Sequence, residues 1–518
     1  METLSCISVL VGVFAVSLGA LYLYSKHRFN YWRKRGVLQL KPSFPFGNCR
    51  DLVLMRKSFG ETFAEHYKLF AGNAFGGAYM ALRPILLIRD PDIIKNILVK
   101  DFDHFHDHGF DFDEKIDPLS GNLFMLTGLK WKELRTKLSP TFTSGKMKMM
   151  FPTLVDCGVE LQEYLQNFAD KDDMLEMRDV LAKFSTDVIA SCAFGIQCNC
   201  LKNPDAEFRQ WGKKVLEVSF EVILRNLMYM LLPSVAIALK ISNTPNDITN
   251  FFRTMVHETV NFRERHSVER KDFLQLLIKL KNKESLEPDT LSTQQNEEFA
   301  GMTMDEIAAQ VFVFFIAGFE TSSTTMSYCL HELALNPDIQ QRMREEVDRV
   351  LLKHEGAITY EAIQEMEYLD KAISETLRKY PPVPTLNRDC SKDYRIPGSH
   401  VTVEKGTHIV IPVEALHHDP QYYPEPDKFD PDRFSEEAKT SRHHYVYLPF
   451  GEGPRLCIGM RFGLMQTKVG LVSLLSKYEF SVCSKTSIPL KKDPKQFIST
   501  PIGGVWLQIR NRSANRDQ

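Results

Sequence analysis

Three apolar runs stand out against an otherwise mixed chain: residues Leu4 to Tyr24, Leu216 to Ile241 and Val311 to Phe319. The first carries no charge, and its about 21 residues would make about 30 Å of helix, enough to cross a bilayer core. Lys26, Arg28, Arg33, Lys34 and Arg35 follow it, which keeps that flank on the cytosolic side by the positive-inside rule. A cleaved signal peptide fits less well, because Met1-Glu2 offers no basic start and the run is long. The pattern predicts a single-pass anchor over residues 1–25. A basic, proline-rich hinge over 26–49 follows, with Lys41 to Asn48 stiff and extended because each proline pushes its predecessor out of the helical region.

The second run is interrupted by Glu221, Arg225 and Pro233, which argues against another span and for helices joined by an apolar loop. The third lies inside a longer helical pattern. Thr303-Met304-Asp305-Glu306 is a capping box opening a helix that can run from Met304 to Leu335 and stop at Asn336-Pro337. Such a helix is about 48 Å long, and so apolar a middle has to pass through the centre of the fold.

Around it the pattern is more broken. Gly77 to Arg89 reads as two short strands separated at Arg83-Pro84, and Asp90-Pro91 caps the next helix. His104 to Phe124 is irregular and rich in rings, with Phe105, Phe110, Phe112 and Phe124 either packing onto the body or lining an apolar pocket. Lys279 to Phe299 is polar, charged and aperiodic, and is expected as an exposed loop open to proteolysis. Tyr368 to Lys379 is amphipathic and ends at Tyr380-Pro381-Pro382. Arg395 to Val413 reads as short strands with turns at Pro397-Gly398 and Lys405-Gly406. An apolar helical pattern from Met460 to about Tyr478 is the last long element.

Composition narrows the class. With 518 residues, a net charge of −2 and no low-complexity linker, the chain reads as one compact body over 50–518 behind its anchor. Interspersed charge of both signs leaves no nucleic-acid footprint. Ten cysteines with no CxxC pair exclude a disulfide scaffold and favour a reducing compartment. Cys198 and Cys200 read as small apolar fillers, and His417-His418, with no other ligand type at metal spacing, as surface residues.

The candidate chemistry centres on Phe450-Gly451-Glu452-Gly453-Pro454-Arg455-Leu456-Cys457-Ile458-Gly459. Its glycines let the backbone turn and pass close to a large planar group. A cysteine at the mouth of a helix, with a cation two residues before it, is expected as a thiolate. Without a histidine nearby in sequence to serve as its base, it reads as a metal ligand. Upstream, Trp131 and Arg135 are four apart, so an indole N–H and a guanidinium share one helix face as an anion clamp. Lys130, Lys137, Lys146 and Lys148 extend the basic character, as a solvated face or a docking patch. Within the central helix, Ala317-Gly318-Phe319-Glu320-Thr321 buries an acid and a hydroxyl that need partners or a task. Thr321 could equally bond a carbonyl one turn back. Glu375 and Arg378 share a face and can pair, a lock on the fold that Arg433 would join.

The spacing of Phe450, Gly453, Arg455, Cys457 and Gly459, with the other segments, resembles the cytochrome P-450 monooxygenases over nearly the whole chain after the anchor. The resemblance implies a mainly α fold with small β-sheets, a triangular helical prism around a buried haem. It implies haem b with Cys457 as axial thiolate and Phe450 shielding the sulfur. Trp131, Arg135, Arg388 and Arg455 would meet the propionates, and Gly453 and Gly459 would shape the loop. Ala317 and Gly318 would border a groove for dioxygen, Thr321 would hydrogen-bond the bound oxygen, and Glu320 would relay protons. NADPH would act through a separate NADPH–cytochrome reductase, with cytochrome b5 as a further partner, since no dinucleotide fingerprint is present. Location would be the endoplasmic reticulum membrane, with the catalytic body in the cytosol.

Trp131 to Arg135 with Leu138 to Lys146 is similar to the microsomal clan, and Phe44 to Asn48 with Asp117 to Ser120 to its insect detoxification group. His108 stands where arginine is expected in many relatives, which puts one propionate contact in doubt. Three activities follow: oxygenation of lipophilic small molecules such as xenobiotics, plant toxins, insecticides or endogenous hormones; a haem-thiolate isomerase or dehydratase; or a haem sensor without turnover. Thr321 beside Glu320 argues against the isomerase.

Overall fold

The computed structural model describes residues 2–110, 112–283 and 301–512. It is mainly helical with three small sheets. The central helix runs over Met304–Leu335, with the bounds its capping box and proline stop predict. Thr303 Oγ1 accepts the Glu306 N–H at 3.2 Å, and Glu306 returns the bond to the Thr303 N–H at 2.7 Å. Against this helix pack Met177–Ile189, Asn246–Arg265, Glu367–Lys379 and Met460–Leu475. Its apolar stretch is long enough to cross a membrane, but 61% of that window is buried inside the protein, so it is a core helix.

The four-stranded sheet has the order Phe75–Met80, Arg83–Ile88, His408–Ile411, Leu386–Asp389. Arg83-Pro84 does not separate the first two strands, as the sequence suggests. The break falls at Ala81, whose φ is +50°, and Pro84 pairs with Tyr79. Proline is tolerated there because the parallel neighbour begins only at Ile85. A second apolar core gathers on this sheet, separate from the large one around the central helix.

Several expectations change. Lys41 to Asn48 is no extended hinge: Ser43 and Gly47 bridge each other, and the Asn48 N–H donates to the Tyr79 carbonyl at 2.7 Å. Trp32 is fully buried and donates its indole N–H to the Ala78 carbonyl at 3.1 Å. Residues 279–281 end the helix Phe273–Lys281 and 282–283 form a turn; the remainder of the expected loop, 284–299, lies outside the described residues. The final helix ends at Leu475, and Tyr478–Ser481 is a strand. Leu216 to Ile241 holds the helices Phe220–Leu231 and Pro233–Ala238, with Phe220 80% and Leu239 64% exposed.

Candidate functional site

The cysteine loop is held from three sides. The Cys457 N–H donates to the Phe450 carbonyl at 2.9 Å, closing the turn. Gly453, at φ +74°, lies so close to Leu98 that a Cβ would sit 2.0 Å from its carbonyl oxygen, so only glycine fits. From the third side His417 anchors Leu448, whose N–H donates to His417 Nε2 at 2.9 Å, while His417 Nδ1 meets the Arg378 carbonyl at 3.2 Å. His417 is therefore a fully buried, neutral bridge and not a surface residue; His418 is half-buried. Burial leads the causes that push the His417 ring down to about 3.

That bridge joins the loop to the polar lock. Arg378 donates to Glu375 Oε2 at 2.7 Å and Oε1 at 2.8 Å, both side chains are fully buried, and Arg433 Nε lies 3.5 Å from Glu375. The triad read from sequence is assembled.

Cys457 sits just before Gly459, which caps Met460–Leu475. Its surface is accessible, yet burial is the largest influence on its thiol, so it lines an internal space. Burial raises the thiol above its ordinary value, and the Gly459 N–H and Arg135 oppose this without overcoming it. The helix terminus and cation thus do not make a thiolate by themselves; a bound metal would, since a coordinating thiol loses its proton outright.

A cluster of cations lies next to it. The Arg455 guanidinium stacks 4.0 Å from the Trp131 ring and donates to the carbonyls of His106, Leu126 and Leu123 at 2.7, 2.7 and 3.3 Å. Burial, then Arg388, lowers it to about 9. Arg388, on the strand Leu386–Asp389, is fully buried and lowered by burial to about 10; among the described residues its side chain donates only to the Asn387 carbonyl, and its Nε has no partner there. Arg135, on the helix Gly128–Leu138 with Trp131, is also lowered by burial. His108 joins the group: burial, then Arg388 and Arg455, hold it well below its ordinary value, and its Nδ1 meets the Phe124 carbonyl at 2.9 Å. Against three guanidiniums stands the Asp107 carboxylate, 3.6 Å from Arg455. Buried positive charge in this excess is a site for an anion.

On the central helix, Ala317 is exposed in the middle of a buried element. At Gly318 a Cβ would lie 2.6 Å from the Ile189 side chain, so this glycine admits the neighbouring helix. The Thr321 hydroxyl donates to the Ala317 carbonyl at 2.6 Å, the back-bonded geometry. Glu320 is buried and ion-paired with Arg178 of Met177–Ile189. Near the C-terminus the chain meets the central helix, where the Tyr328 hydroxyl donates to the Ser499 carbonyl at 3.2 Å. Of the basic-patch lysines, Lys130 pairs with Glu114 and Lys148 with Glu361.

The sequence matches the family model for Cytochrome P450 over residues 43–507. The chain belongs to the cytochrome P450 family. It is 44% identical to Cytochrome P450 6a2 of Drosophila melanogaster over 503 residues, 95% of this chain and 98% of that one. With Cytochrome P450 6k1 of Blattella germanica the identity is 42% over 509 residues, 97% of each. With Cytochrome P450 6j1 of the same cockroach it is 41% over 506 residues, 98% of each. As a cytochrome P450, the protein is a haem-thiolate monooxygenase, an oxidoreductase that incorporates oxygen from O2. The residues present fit that group. Cys457 offers a sulfur inside the protein, Arg388 an unpartnered buried cation, and Gly459 open space where a Cβ would meet no atom within 4 Å.

Proposed function

We propose that Cys457 is the axial ligand of haem b, and that the enzyme oxygenates lipophilic small molecules with electrons passed from NADPH by a reductase. The observation that carries the assignment is the cation cluster of Arg135, Arg388 and Arg455 beside an inward-facing cysteine, with an orphaned Nε on Arg388. Two propionates are the anions that answer it. Thiolate-bound haem supplies dioxygen activation and favours cleavage of the O–O bond.

The chain's own residues do the rest. Trp131 supports Arg455 by stacking, so that the guanidinium keeps its orientation. Gly453 and the Phe450 carbonyl fix the cysteine's height in its loop, and Phe450 packs on the core and shields the sulfur. Ala317 presents a methyl group to the internal space and Gly318 brings the helices together. The Thr321 hydroxyl, donating to Ala317, keeps its oxygen lone pairs available and can redirect its proton. Glu320, linked to the partly exposed Arg178, is the acid that brings protons towards Thr321 from the solvent side. Phe110, which contacts both Phe112 and Phe124, makes with them an apolar wall suited to lipophilic substrates. The class of substrate is foreign compounds, plant toxins and insecticides among them, with an endogenous lipid or hormone as the narrower alternative.

The helix Glu2–Arg28 would anchor residues 1–25 in the endoplasmic reticulum membrane, with 26–49 leading to the catalytic body 50–518 on the cytosolic side. Its uncharged run and basic flank support this reading. Exposed Phe220 and Leu239 would lie on the same surface. The basic face around Lys146 would receive the NADPH–cytochrome reductase, and cytochrome b5 by the same charge complementarity.

Reconstitution with reductase and NADPH, with unrelated lipophilic compounds read by mass spectrometry, tests the proposal. Products each heavier by one oxygen atom are expected from several compounds. Absence of NADPH consumption with every compound, in a protein with intact haem, would overturn the reductase-driven reading.

A further inference from the structure

Outside the haem site, one cluster gathers two thiols and a carboxylate. Asp187, near the end of Met177–Ile189, and Cys198 and Cys200, in the loop that follows, bring Sγ, Sγ and a carboxylate oxygen within 4.8 Å of one another. The two cysteines point to one side because Asn199 between them takes φ +51°. Asp187 is only 3% exposed. Its Oδ1 accepts the Cys200 N–H at 2.8 Å, which fixes the carboxylate, and its buried Oδ2 has no well-formed hydrogen bond among the described residues, with the Cys200 thiol, a weak donor, beside it. A buried carboxylate oxygen met only by weak donors costs stability unless something binds it more strongly.

We infer that Asp187, Cys198 and Cys200 form a zinc site with a fourth, water-filled position. Two thiolates and one carboxylate oxygen are a borderline-soft set suited to tetrahedral zinc. Ordinary Zn–S and Zn–O bonds put such ligand atoms about 3.5–3.8 Å apart, so closure needs a contraction of about 1 Å. The complex of three anions with one dication carries a single negative charge, which the adjacent Arg209 cation offsets. Access is open: Cys198 is half-exposed and lines a groove with Ile196, Asn203, Trp211 and Phe251. Binding forms two Zn–S bonds and one Zn–O bond and releases the two thiol protons to solvent. The ion would tie the 198–200 loop to a helix that packs on the central one.

The test uses tag-free, full-length holoprotein, equilibrated with buffered zinc under a non-chelating reductant and then freed of excess metal. Plasma mass spectrometry gives zinc per chain, and absorption at the zinc edge gives its ligands. Roughly one zinc per chain with two sulfur neighbours is expected. Asp187→Asn and Cys198→Ser are each expected to lower zinc content at least about tenfold. Because Cys198 is half-exposed, its variant should keep full haem content, which separates loss of zinc from loss of fold. Three results would overturn the inference: no zinc above that of Cys198→Ser, a zinc shell without sulfur, or a Cys198–Cys200 disulfide in freshly isolated protein.

Discussion

His417→Asn gives the sharpest test of how the cysteine loop is held. The wild-type ring is fully buried, accepts from the Leu448 N–H and reaches the Arg378 carbonyl through Nδ1. Asparagine keeps a donor and an acceptor but is too short to meet both, so a buried backbone group loses its partner at about 1–3 kcal/mol. The pH dependence carries the stronger signature. The folded-state value, about 3, lies below the ordinary 6.5, so the unfolded chain binds a proton here that the native protein does not. Stability from the neutral ring is complete above 6.5, declines as pH falls, and is fully lost once pH passes below the folded value. At pH 5 this single group costs the wild type about 2 kcal/mol. Asparagine does not titrate, so the gap between wild type and variant should narrow by about 2 kcal/mol between pH 7.5 and pH 5. Urea unfolding of both full-length proteins in detergent, followed by tryptophan fluorescence, measures that gap. A gap constant with pH, or one widening on acidification, would refute the buried neutral bridge.

Other predictions follow from the same geometry. Glu375→Gln leaves Arg378 buried without its counter-charge, and a loss of about 3–5 kcal/mol is expected, read as poor haem retention on expression. Gly318→Val should cost about 1–3 kcal/mol by overpacking against Ile189, with Ile189→Ala in the same chain restoring part of it; a double variant no better than the single one would contradict that contact. Gly453→Ala meets the Leu98 carbonyl and a left-handed φ together, so no side-chain change should rescue it, and its haem content is the readout. Arg388→Leu removes the unpartnered cation, and faster haem transfer to apomyoglobin than from wild type is expected.

Local rules were legible in the sequence where a single element carries them. The capping box and the proline stop set both ends of the central helix, and the i, i+3 spacing of Glu375 and Arg378 became a real pair. The glycine and cysteine spacing of 450–459 was legible because Gly453 takes a left-handed φ and the Cys457 N–H closes its turn on the Phe450 carbonyl, both within the segment. What could not be read depends on distant partners. Glu320 meets Arg178 from 142 residues away, Gly318 is explained by Ile189 on another helix, and Lys148 is neutralised by Glu361. His417-His418 reads as surface because nothing local shows that Leu448 and Arg378 close over the first ring. Cys198 and Cys200 read as fillers because nothing local shows that the fold places Asp187 beside them.

The assignment of Cys457 is tested most directly by absorption at the iron edge of the haem-loaded full chain, wild type beside Cys457→Ser. One sulfur neighbour to iron in the wild type and none in the variant is the predicted result. A sulfur shell unchanged by the substitution, or none in a wild type that carries its haem, would contradict it.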